Sequence, residues 1–303
     1  MHNLKSNFDK IIQITKSTLS EHLLPDGNFQ IYKNKPKMSD IEVVTLSILS
    51  ESLGIDSENY LFSKLHKDYK TDFPNLPHRT NFGKRRKRLQ DYIAQAAEPI
   101  YKWINPKNNQ YILDSIPIPI CQNPRINRLK ICQEDDKVKP SRGFHASHKS
   151  HYFGFKLQLI LSKSGVPVNF GLTPANIHDV RFLEYIPNTD LGICDLIADK
   201  GYMSSGYQTK LFENDGIRLI TPIRANMKNT QTVWNSSFRY TRKRIETLFS
   251  QLCDQLMLKR NYAKTLNGLF TRICSKIASV AILQYINHIN QKPINKLKHA
   301  LSF

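Results

Sequence analysis

The sequence predicts an α/β protein, with a mixed sheet flanked by helices and an all-helical region before it. Up to about residue 105, apolar side chains recur at helical spacing, whereas from residue 106 short runs rich in Ile, Val, Phe and Tyr are separated by Pro, Gly and Asn. The second part consists of three strands and then alternating helices and strands, which implies a mixed sheet with helices on its faces. We therefore divide the chain into a helical region (1–105), a sheet-containing domain (106–290) and a basic tail (291–303).

The helical region begins with an apolar stripe over residues 8–14. Ser39 resembles a helix N-cap, with Glu42 three residues later as its capping-box partner, and Gly54 suits the end of that helix. A third helix follows through Leu61. The pattern predicts several short helices packed on one another.

A dense basic run, RTNFGKRRKR, occupies residues 79–88 and leads into an amphipathic helix. Several short helices with one such run are typical of helical DNA-binding modules, including those of the helix-turn-helix type. The alternative is a solvated helix face, which is what most charge runs are. We predict DNA contact by the six basic residues of this run, namely Arg79, Lys84, Arg85, Arg86, Lys87 and Arg88.

The elements after residue 105 are placed by the apolar runs and by the turn residues between them. Ser164 and Gly165 predict the turn of a hairpin between the second and third strands. The predicted strands are 111–118, 152–162, 166–173, 193–199 and 217–223, and the predicted helices are 179–185, 206–214, 238–259 and 269–289.

The charge of the chain indicates a polyanionic partner. Its 303 residues are 40% hydrophobic, and 44 Lys and Arg against 25 Asp and Glu give a formal net charge of +19. A membrane surface is a poorer candidate, because there is no stretch of ~20 apolar residues and the N-terminus lacks the apolar core of a signal peptide. Five single cysteines favour free thiols over a disulfide framework or a zinc ribbon. We expect a soluble, cytoplasmic, nucleoid-associated protein with no membrane partner.

The C-terminal stretch is a second candidate DNA surface. Beyond Asp254 there is no acidic residue, whereas eight Lys or Arg occur, among them Lys259 and Arg260. The alternative is a tail that is basic only because the whole protein is basic.

A histidine-rich segment, residues 143–156, precedes the second predicted strand. Its three histidines, His145, His148 and His151, are spaced by three, but a zinc site needs a fourth ligand. DNA backbone contact or ordinary loop packing explains this basic segment better, and Lys149 and Lys156 are its predicted DNA contacts.

Three carboxylates are candidate catalytic residues. Asp114 lies in an apolar strand, where an unpaired carboxylate is costly to bury, so it needs a metal, a basic partner or an exposed strand end. Asp199 ends the fourth strand, where sites form in open α/β sheets, while its competitor Asp195 lies deeper in the strand. Glu246 lies at the rim of the apolar stripe of the long helix, one turn after Arg242.

Each acid also has an ordinary explanation that involves no catalysis. Asp114 would be an edge-strand residue facing solvent, Asp199 a turn residue, and Glu246 one partner of a surface ion pair. Together, three hard oxygen donors on strand one, strand four and a late helix suit Mg²⁺ or Mn²⁺. Two such ions roughly 3.5–4 Å apart activate the attacking oxygen and stabilise the leaving oxygen in phosphodiester chemistry. The chain has no Gly-rich phosphate loop, so the sequence does not support an ATP-driven mechanism.

The order of elements resembles an RNase H-like core, and the three acids match the Asp, Asp and Glu positions of insertion-sequence DDE transposases. The motif Asp199-Lys200-Gly201-Tyr202 looks like the second-Asp signature of IS4/IS5-type enzymes, and TPANIHDV (173–180) looks like the segment after their third strand. Over essentially its whole length the chain is most similar to the IS982 family.

This resemblance implies a transposase that recognises terminal inverted repeats, cuts the DNA there and transfers the strand to target DNA. It implies that Asp114, Asp199 and Glu246 are catalytic and hold two Mg²⁺ or Mn²⁺ ions, and that Lys200 and Arg242 contact DNA. Double-stranded DNA is then the partner, and bringing two ends together implies a homodimer on DNA.

The sequence departs from the IS4-type signature Tyr-x2-Arg-x3-Glu-x6-Lys at two positions. Arg242 and Glu246 fit it, but position 239 is Arg instead of Tyr and position 253 is Cys instead of Lys. A tyrosine, Tyr240, lies one residue away. The resemblance therefore does not assign the phosphate contacts of that Tyr and Lys to residues of this chain, and Lys259 and Arg260 are candidates to replace them.

Two alternatives stay open. An RNase H-like nuclease would share the metal site but would not join ends to target DNA. A catalytically decayed transposase would act only as a DNA-binding protein; loss of one acid would mark it, and all three are present.

Overall fold

The computed structural model describes residues 3–135, 138–145, 149–222, 236–260 and 262–301. Its contacts divide the chain into two compact units. The helical unit comprises Met1–Ile104 and Leu252–Phe303, and the sheet unit comprises Asn105–Gln251. The α-helices are α1 (Leu4–Thr18), α2 (Asp40–Ser52), α3 (Glu58–Asp68), α4 (Arg79–Arg88), α5 (Gln90–Gln95), α6 (Ile100–Ile104), α7 (Ser205–Asp215), α8 (Ser236–Asp254) and α9 (Leu266–Ile289).

The sheet unit contains six strands among its described residues, together with short 3₁₀ helices. The strands are β1 (Gln110–Cys121), β2 (Ser141–His145), β3 (Ser150–Ser162), β4 (Pro167–Pro174), β5 (Cys194–Ala198) and β6 (Ile217–Ile220). The 3₁₀ helices of the chain are Asn123–Arg128, Asp179–Thr189, Lys200–Tyr202 and Leu297–Ala300.

The division of the chain differs from the predicted domains at its C-terminal end. The first boundary was expected at residue 105 and the units meet after Ile104, but α9 belongs to the helical unit instead of a domain 106–290. Helix α9 packs against α2, α5 and α6, because its buried side chains need partners on several sides. Its apolar pattern predicted a buried helix but did not indicate which elements would cover it.

Helix α2 starts and ends as the sequence predicts. The Ser39 backbone N–H donates to Glu42 Oε2 at 2.7 Å, which is the capping-box contact. Past the last turn, Gly54 takes a φ of +66°, a left-handed conformation that suits glycine.

Helix α9 is a core helix of the helical unit. Among the described residues, α9 alone is long and apolar enough to cross a membrane. This departs from the expectation that the chain has no such stretch. However, 78% of the most apolar part of the helix is buried inside the protein, as is usual for a core helix. Its buried residues include Arg272 and Lys276. Both contact Glu51, a fully buried carboxylate on α2.

The sheet is mixed, as predicted, with β1 at its centre. On one side β1 pairs antiparallel with β3, whose other edge carries β2 along its first residues and β4 along the rest. On the other side β1 pairs parallel with β5, and β5 pairs parallel with β6. The β3–β4 hairpin predicted from Ser164 and Gly165 is therefore confirmed.

Strand β2 was not predicted. Its sequence, SRGFH, contains no apolar run, and its place in the sheet comes from pairing with β3, from Ser141 opposite Gly154 to His145 opposite Ser150. Several other boundaries differ by a few residues; among them, β6 ends at Ile220 instead of residue 223, and α8 ends at Asp254 instead of residue 259. Residue 223, the predicted end of the fifth strand, lies outside the described residues.

Each face of the sheet is covered by a different element. Phe238 of α8 packs in one buried cluster with Ile197 of β5 and Ile220 of β6. On β4, a Cβ at Gly171 would lie 2.7 Å from Cε2 of Phe182, so the 3₁₀ helix Asp179–Thr189 lies directly on the backbone there. Because successive strand residues point to opposite faces, Asp114 and Ser115 of β1 point to opposite sides.

Candidate active site

Asp114, Asp199 and Arg242 meet in the sheet unit. Arg242 Nη2 lies 3.1 Å from Asp114 Oδ2, and Arg242 Nη1 lies 3.2 Å from Asp199 Oδ1. One guanidinium thus bridges two carboxylates that are 85 residues apart in the chain.

The parallel pairing of β1 and β5 brings the two aspartates together. The last paired residues are Leu113 and Ala198, and each is followed directly by an aspartate. Helix α8 is fixed on the sheet by Phe238, and Arg242 follows four residues later on the same side of the helix. All three side chains therefore lie where the parallel pairing of β1 and β5 ends.

The two aspartates differ in their surroundings. The Asp114 side chain is 18% exposed and that of Asp199 is 45% exposed. Burial raises the pKa of Asp114 to about 6, although Arg242 and the Ser115 N–H act against this shift and the Asp199 charge adds to it. The Ser115 N–H donates to Asp114 Oδ1 at 2.8 Å. A cation placed beside Asp114 therefore stabilises its ionised form.

Asp195, the competitor of Asp199, is used elsewhere. It forms an ion pair with Arg218 on the neighbouring strand, with Arg218 Nε 2.8 Å from Asp195 Oδ1. The hydrogen bond from Arg218 is the main reason that the pKa of Asp195 is lowered. Asp199, in contrast, contacts Arg242 beside Asp114.

Glu246 is exposed on α8, one turn after Arg242. Among the described residues, no three His, Cys, Asp or Glu side chains are close enough to hold a metal ion. The structure thus brings Asp114 and Asp199 together but does not place Glu246 in a group of three with them.

The two aspartates nevertheless fit a divalent cation as two of its ligands. They offer carboxylate oxygens, which Mg²⁺ and Mn²⁺ prefer, and both already contact a single positive group. Arg242 supplies that positive charge in this structure. Its Nε is buried, and the described part of the chain offers it no hydrogen-bond partner.

Behind Asp114, on the opposite face of the sheet, lies a polar network that the sequence did not reveal. Asp179 Oδ1 accepts from Ser115 Oγ at 3.1 Å, from Gln158 Nε2 at 3.0 Å and from Lys156 Nζ at 2.7 Å. The buried Tyr202 hydroxyl donates to Gln158 Oε1. One signal was available: Lys156 and Gln158 are polar residues at alternate positions in the middle of a strand whose other central residues are apolar.

Two arginines of the basic run are not at the surface, which corrects the expectation that they contact DNA. The Arg85 guanidinium pairs with the buried Asp40 and donates to the Met38 carbonyl oxygen at 2.6 Å. That of Arg86 contacts Glu51 at 3.1 Å and Glu58 at 3.3 Å. Buried carboxylates need these charges, so both side chains stabilise the helical unit instead.

The other predicted DNA contacts differ in their surroundings. Lys156, 13% exposed, is paired with Asp179, and Arg242 is part of the site. Arg79 is half-buried, 4.0 Å from Glu58, and Arg260 is exposed beside Asp56. The remaining side chains are exposed, namely Lys84, Lys87, Arg88, Lys149, Lys200 and Lys259.

The three histidines form no metal site that the structure describes. His151 packs against the Phe144 ring, with centroids 5.0 Å apart, and His148 lies outside the described residues. All five cysteines are free, as expected.

The chain matches a known protein family. A family model described as a transposase DDE domain matches residues 106–264, slightly more than half of the chain. The matched range contains β1, β5 and α8, and with them Asp114, Asp199, Arg242 and Glu246. No curated protein matches the chain.

Proposed function

Because the chain belongs to the family of transposases with a DDE domain, we propose that it cuts DNA at the ends of a mobile element and transfers those ends to target DNA. The observation that carries this proposal is the pair Asp114 and Asp199 held at one strand edge by Arg242. The sheet supports an RNase H-like core, since β1 has antiparallel neighbours on one side and parallel strands on the other.

Asp114 and Asp199 would hold Mg²⁺ or Mn²⁺, with Glu246 completing the set once DNA is bound. Two divalent ions supply activation of the attacking oxygen and stabilisation of the leaving one. Arg242 then exchanges its two carboxylates for a DNA phosphate, for which a guanidinium is well suited. Water breaks the first phosphodiester and leaves a 3′-hydroxyl, which attacks a target phosphodiester in a second displacement.

The test is a cleavage and joining assay on DNA that carries the sequences flanking the gene. Asp114→Asn, Asp199→Asn and Glu246→Gln are each expected to reduce cleavage at least about a hundredfold, since even indirect partners of metal ligands cost 10–100-fold. Asp195→Asn is the matched control, because Asp195 lies on β5, the strand that leads to Asp199, but pairs with Arg218. It should keep its activity.

The outcomes separate the alternatives. Full activity of Asp114→Asn or Asp199→Asn would reject this metal site, and full activity of Glu246→Gln would remove Glu246 from it. Cleavage by the unchanged protein without joining would favour a nuclease. DNA binding without any cleavage would favour a decayed transposase.

For DNA binding we propose the exposed face of α4. Lys84, Lys87 and Arg88 are spaced by three and four residues, so they lie on one side of the helix, while Arg85 and Arg86 point inward. Exposed Lys149, Lys200, Lys259 and Arg260 are further candidate phosphate contacts.

Changing Lys84, Lys87 and Arg88 together to Gln should weaken binding to a random DNA duplex. For each phosphate that is no longer neutralised, the slope of log K against log salt should become shallower by about 0.9. The measurement is a salt titration by fluorescence anisotropy. The control changes three exposed lysines elsewhere in the helical unit, Lys16, Lys33 and Lys70, to Gln. An equally large effect in the control would mean that net charge matters and the α4 face does not.

Three finer assignments belong to the same proposal. End-to-end resemblance of the sequence supports the IS982 family. Bringing two ends together supports a homodimer on DNA, and a DNA substrate supports a cytoplasmic, nucleoid-associated location.

A further inference from the structure

Asp179 is contacted by three segments of the sheet unit. Its Oδ1 accepts from Ser115 on β1 and from Lys156 and Gln158 on β3. Its Oδ2 lies 3.4 Å from where a Cβ of Gly201 would be, in the turn that follows Asp199. Asp179 therefore hydrogen-bonds to the strand that carries Asp114 and lies beside the turn that follows Asp199.

We propose that Asp179 is a positioning residue, which holds the two metal-binding aspartates at a fixed separation from the opposite face of the sheet. This inference rests on the proposed function, because it concerns the same carboxylates. Asp179 itself is not assigned as a metal ligand.

The connection to Asp114 runs through Ser115. The Ser115 hydroxyl donates to Asp179 on one face, and the Ser115 backbone N–H donates to Asp114 Oδ1 at 2.8 Å. A rotation of β1 that moved the Asp114 carboxylate would therefore also break the contact with Asp179. Because a carboxylate acceptor is ionised, this contact is stronger than an ordinary hydroxyl hydrogen bond.

The connection to Asp199 runs through the turn Lys200–Tyr202. Gly201 packs against the Asp179 carboxylate so closely that a Cβ there would already be in van der Waals contact with it. Tyr202, 1% exposed, is anchored by its hydroxyl to Gln158, whose amide donates to Asp179. The turn that presents Asp199 is thus fixed by the same network.

Charge gives Asp179 a second role in the network. The Lys156 side chain is only 13% exposed, and the Asp179 carboxylate 2.7 Å away neutralises its ammonium. Removing that carboxylate leaves a largely buried cation behind Asp114, which costs free energy and shifts the neighbouring strands.

The experiment measures Mn²⁺ affinity of the full chain by titration calorimetry without DNA, so that it does not depend on turnover. Asp179→Ala is expected to bind Mn²⁺ about 10–100-fold more weakly, the usual cost of losing an indirect partner of a metal ligand. Asp179→Asn keeps an acceptor for the Ser115 hydroxyl, so its affinity for Mn²⁺ should fall less. Ser115→Ala, which removes only the connecting hydroxyl, should also weaken binding.

Glu184→Gln is the matched control, since Glu184 is an exposed acid on the same 3₁₀ helix, paired with Arg181. It should bind Mn²⁺ as the unchanged protein does. Thermal melting without metal identifies a purely structural role: lower melting temperatures with unchanged Mn²⁺ affinity in Asp179→Asn and Ser115→Ala would overturn the inference. Asp114→Asn separates the two proposals. If it too binds Mn²⁺ normally, the metal site itself is wrong; if it alone loses binding, only the role of Asp179 is wrong.

Discussion

Replacing Glu51 with Ala is expected to destabilise the helical unit by about 3–5 kcal/mol, the usual cost of removing one partner from a buried ionic group. The Glu51 carboxylate on α2 is the common partner of three cations, with Arg86 Nη2 and Arg272 Nε both at 3.1 Å and Lys276 Nζ also in contact. All four side chains are buried. Without the carboxylate, three positive charges would be enclosed together.

The pH dependence of this stabilisation follows from the pKa of Glu51. Burial acts to raise that pKa, but the charges of Lys276, Arg272 and Arg86 overcome it and lower the pKa to about 2 from an ordinary value of 4.5. A lowered pKa means that the contribution is complete above pH 4.5 and is lost as the pH falls from there towards 2. The unchanged protein should therefore approach the stability of the Glu51→Ala variant only in strong acid.

Hydrogen exchange of α2 and α9 amides is the suitable measurement, because it reports the helical unit separately. Glu58→Gln is the control, since Glu58 contacts the same Arg86 at 3.3 Å but is 36% exposed. Glu58→Gln should lower the free energy of unfolding by less than about 1 kcal/mol. The double variant Glu51→Gln, Lys276→Met also removes the ammonium group, so it should regain part of the free energy of unfolding that the loss of the carboxylate costs. A further loss that simply adds to the first would contradict the argument from charge.

Asp114→Asn is expected to have the opposite effect, raising the stability of the metal-free protein at pH 7 by about 2–3 kcal/mol while abolishing cleavage. Burial raises the pKa of Asp114 from 3.8 to about 6, so folding favours its protonated form. A raised pKa means that the stabilising contribution is complete below pH 3.8 and is lost as the pH rises through 6. At neutral pH the ionised carboxylate therefore costs free energy, and a neutral amide avoids that cost.

Urea unfolding in chelator-containing buffer at several pH values tests this. The advantage of Asp114→Asn should be full at pH 7 and should shrink between pH 6 and pH 4. Asp195→Asn is the control of opposite sign, because Arg218 lowers the pKa of Asp195 and its charge stabilises the fold. An Asp114→Asn variant that is less stable than the unchanged protein at pH 7 would mean that Arg242 compensates this carboxylate fully.

Much of the sheet could be predicted, and so could the strand positions at which Asp114 and Asp199 meet, because local patterns carry that information. The apolar runs around Asp114 and before Asp199 mark strands, and the position of Asp199 at a strand end distinguishes it from Asp195. The pairing of Asp195 with Arg218 explains that difference in the structure, since the two residues are opposite each other on β5 and β6.

The rest depends on contacts between distant residues. The basic run indicated charge but not direction: Arg85 points to Asp40, 45 residues earlier, and Arg86 points to Glu51, 35 residues earlier. The network at Asp179 could not be predicted as a network for the same reason, because its members come from four segments that meet only in the folded sheet unit: β1, β3, the 3₁₀ helix Asp179–Thr189 and the turn Lys200–Tyr202. Glu246 shows the reverse case, a residue chosen by spacing that the structure leaves exposed.

The position of α9 in the helical unit has a consequence for the order of synthesis. Glu51 leaves the ribosome 221 residues before Arg272, its partner on α9. At about 5–20 residues per second, that interval lasts roughly 10–45 s. By the end of that interval the sheet unit, Asn105–Gln251, has been made, while α2 still lacks the helix that covers it. Helix α9 therefore completes the fold of a segment made much earlier, and a nascent chain interrupted before α9 leaves Glu51 without two of its three cationic partners.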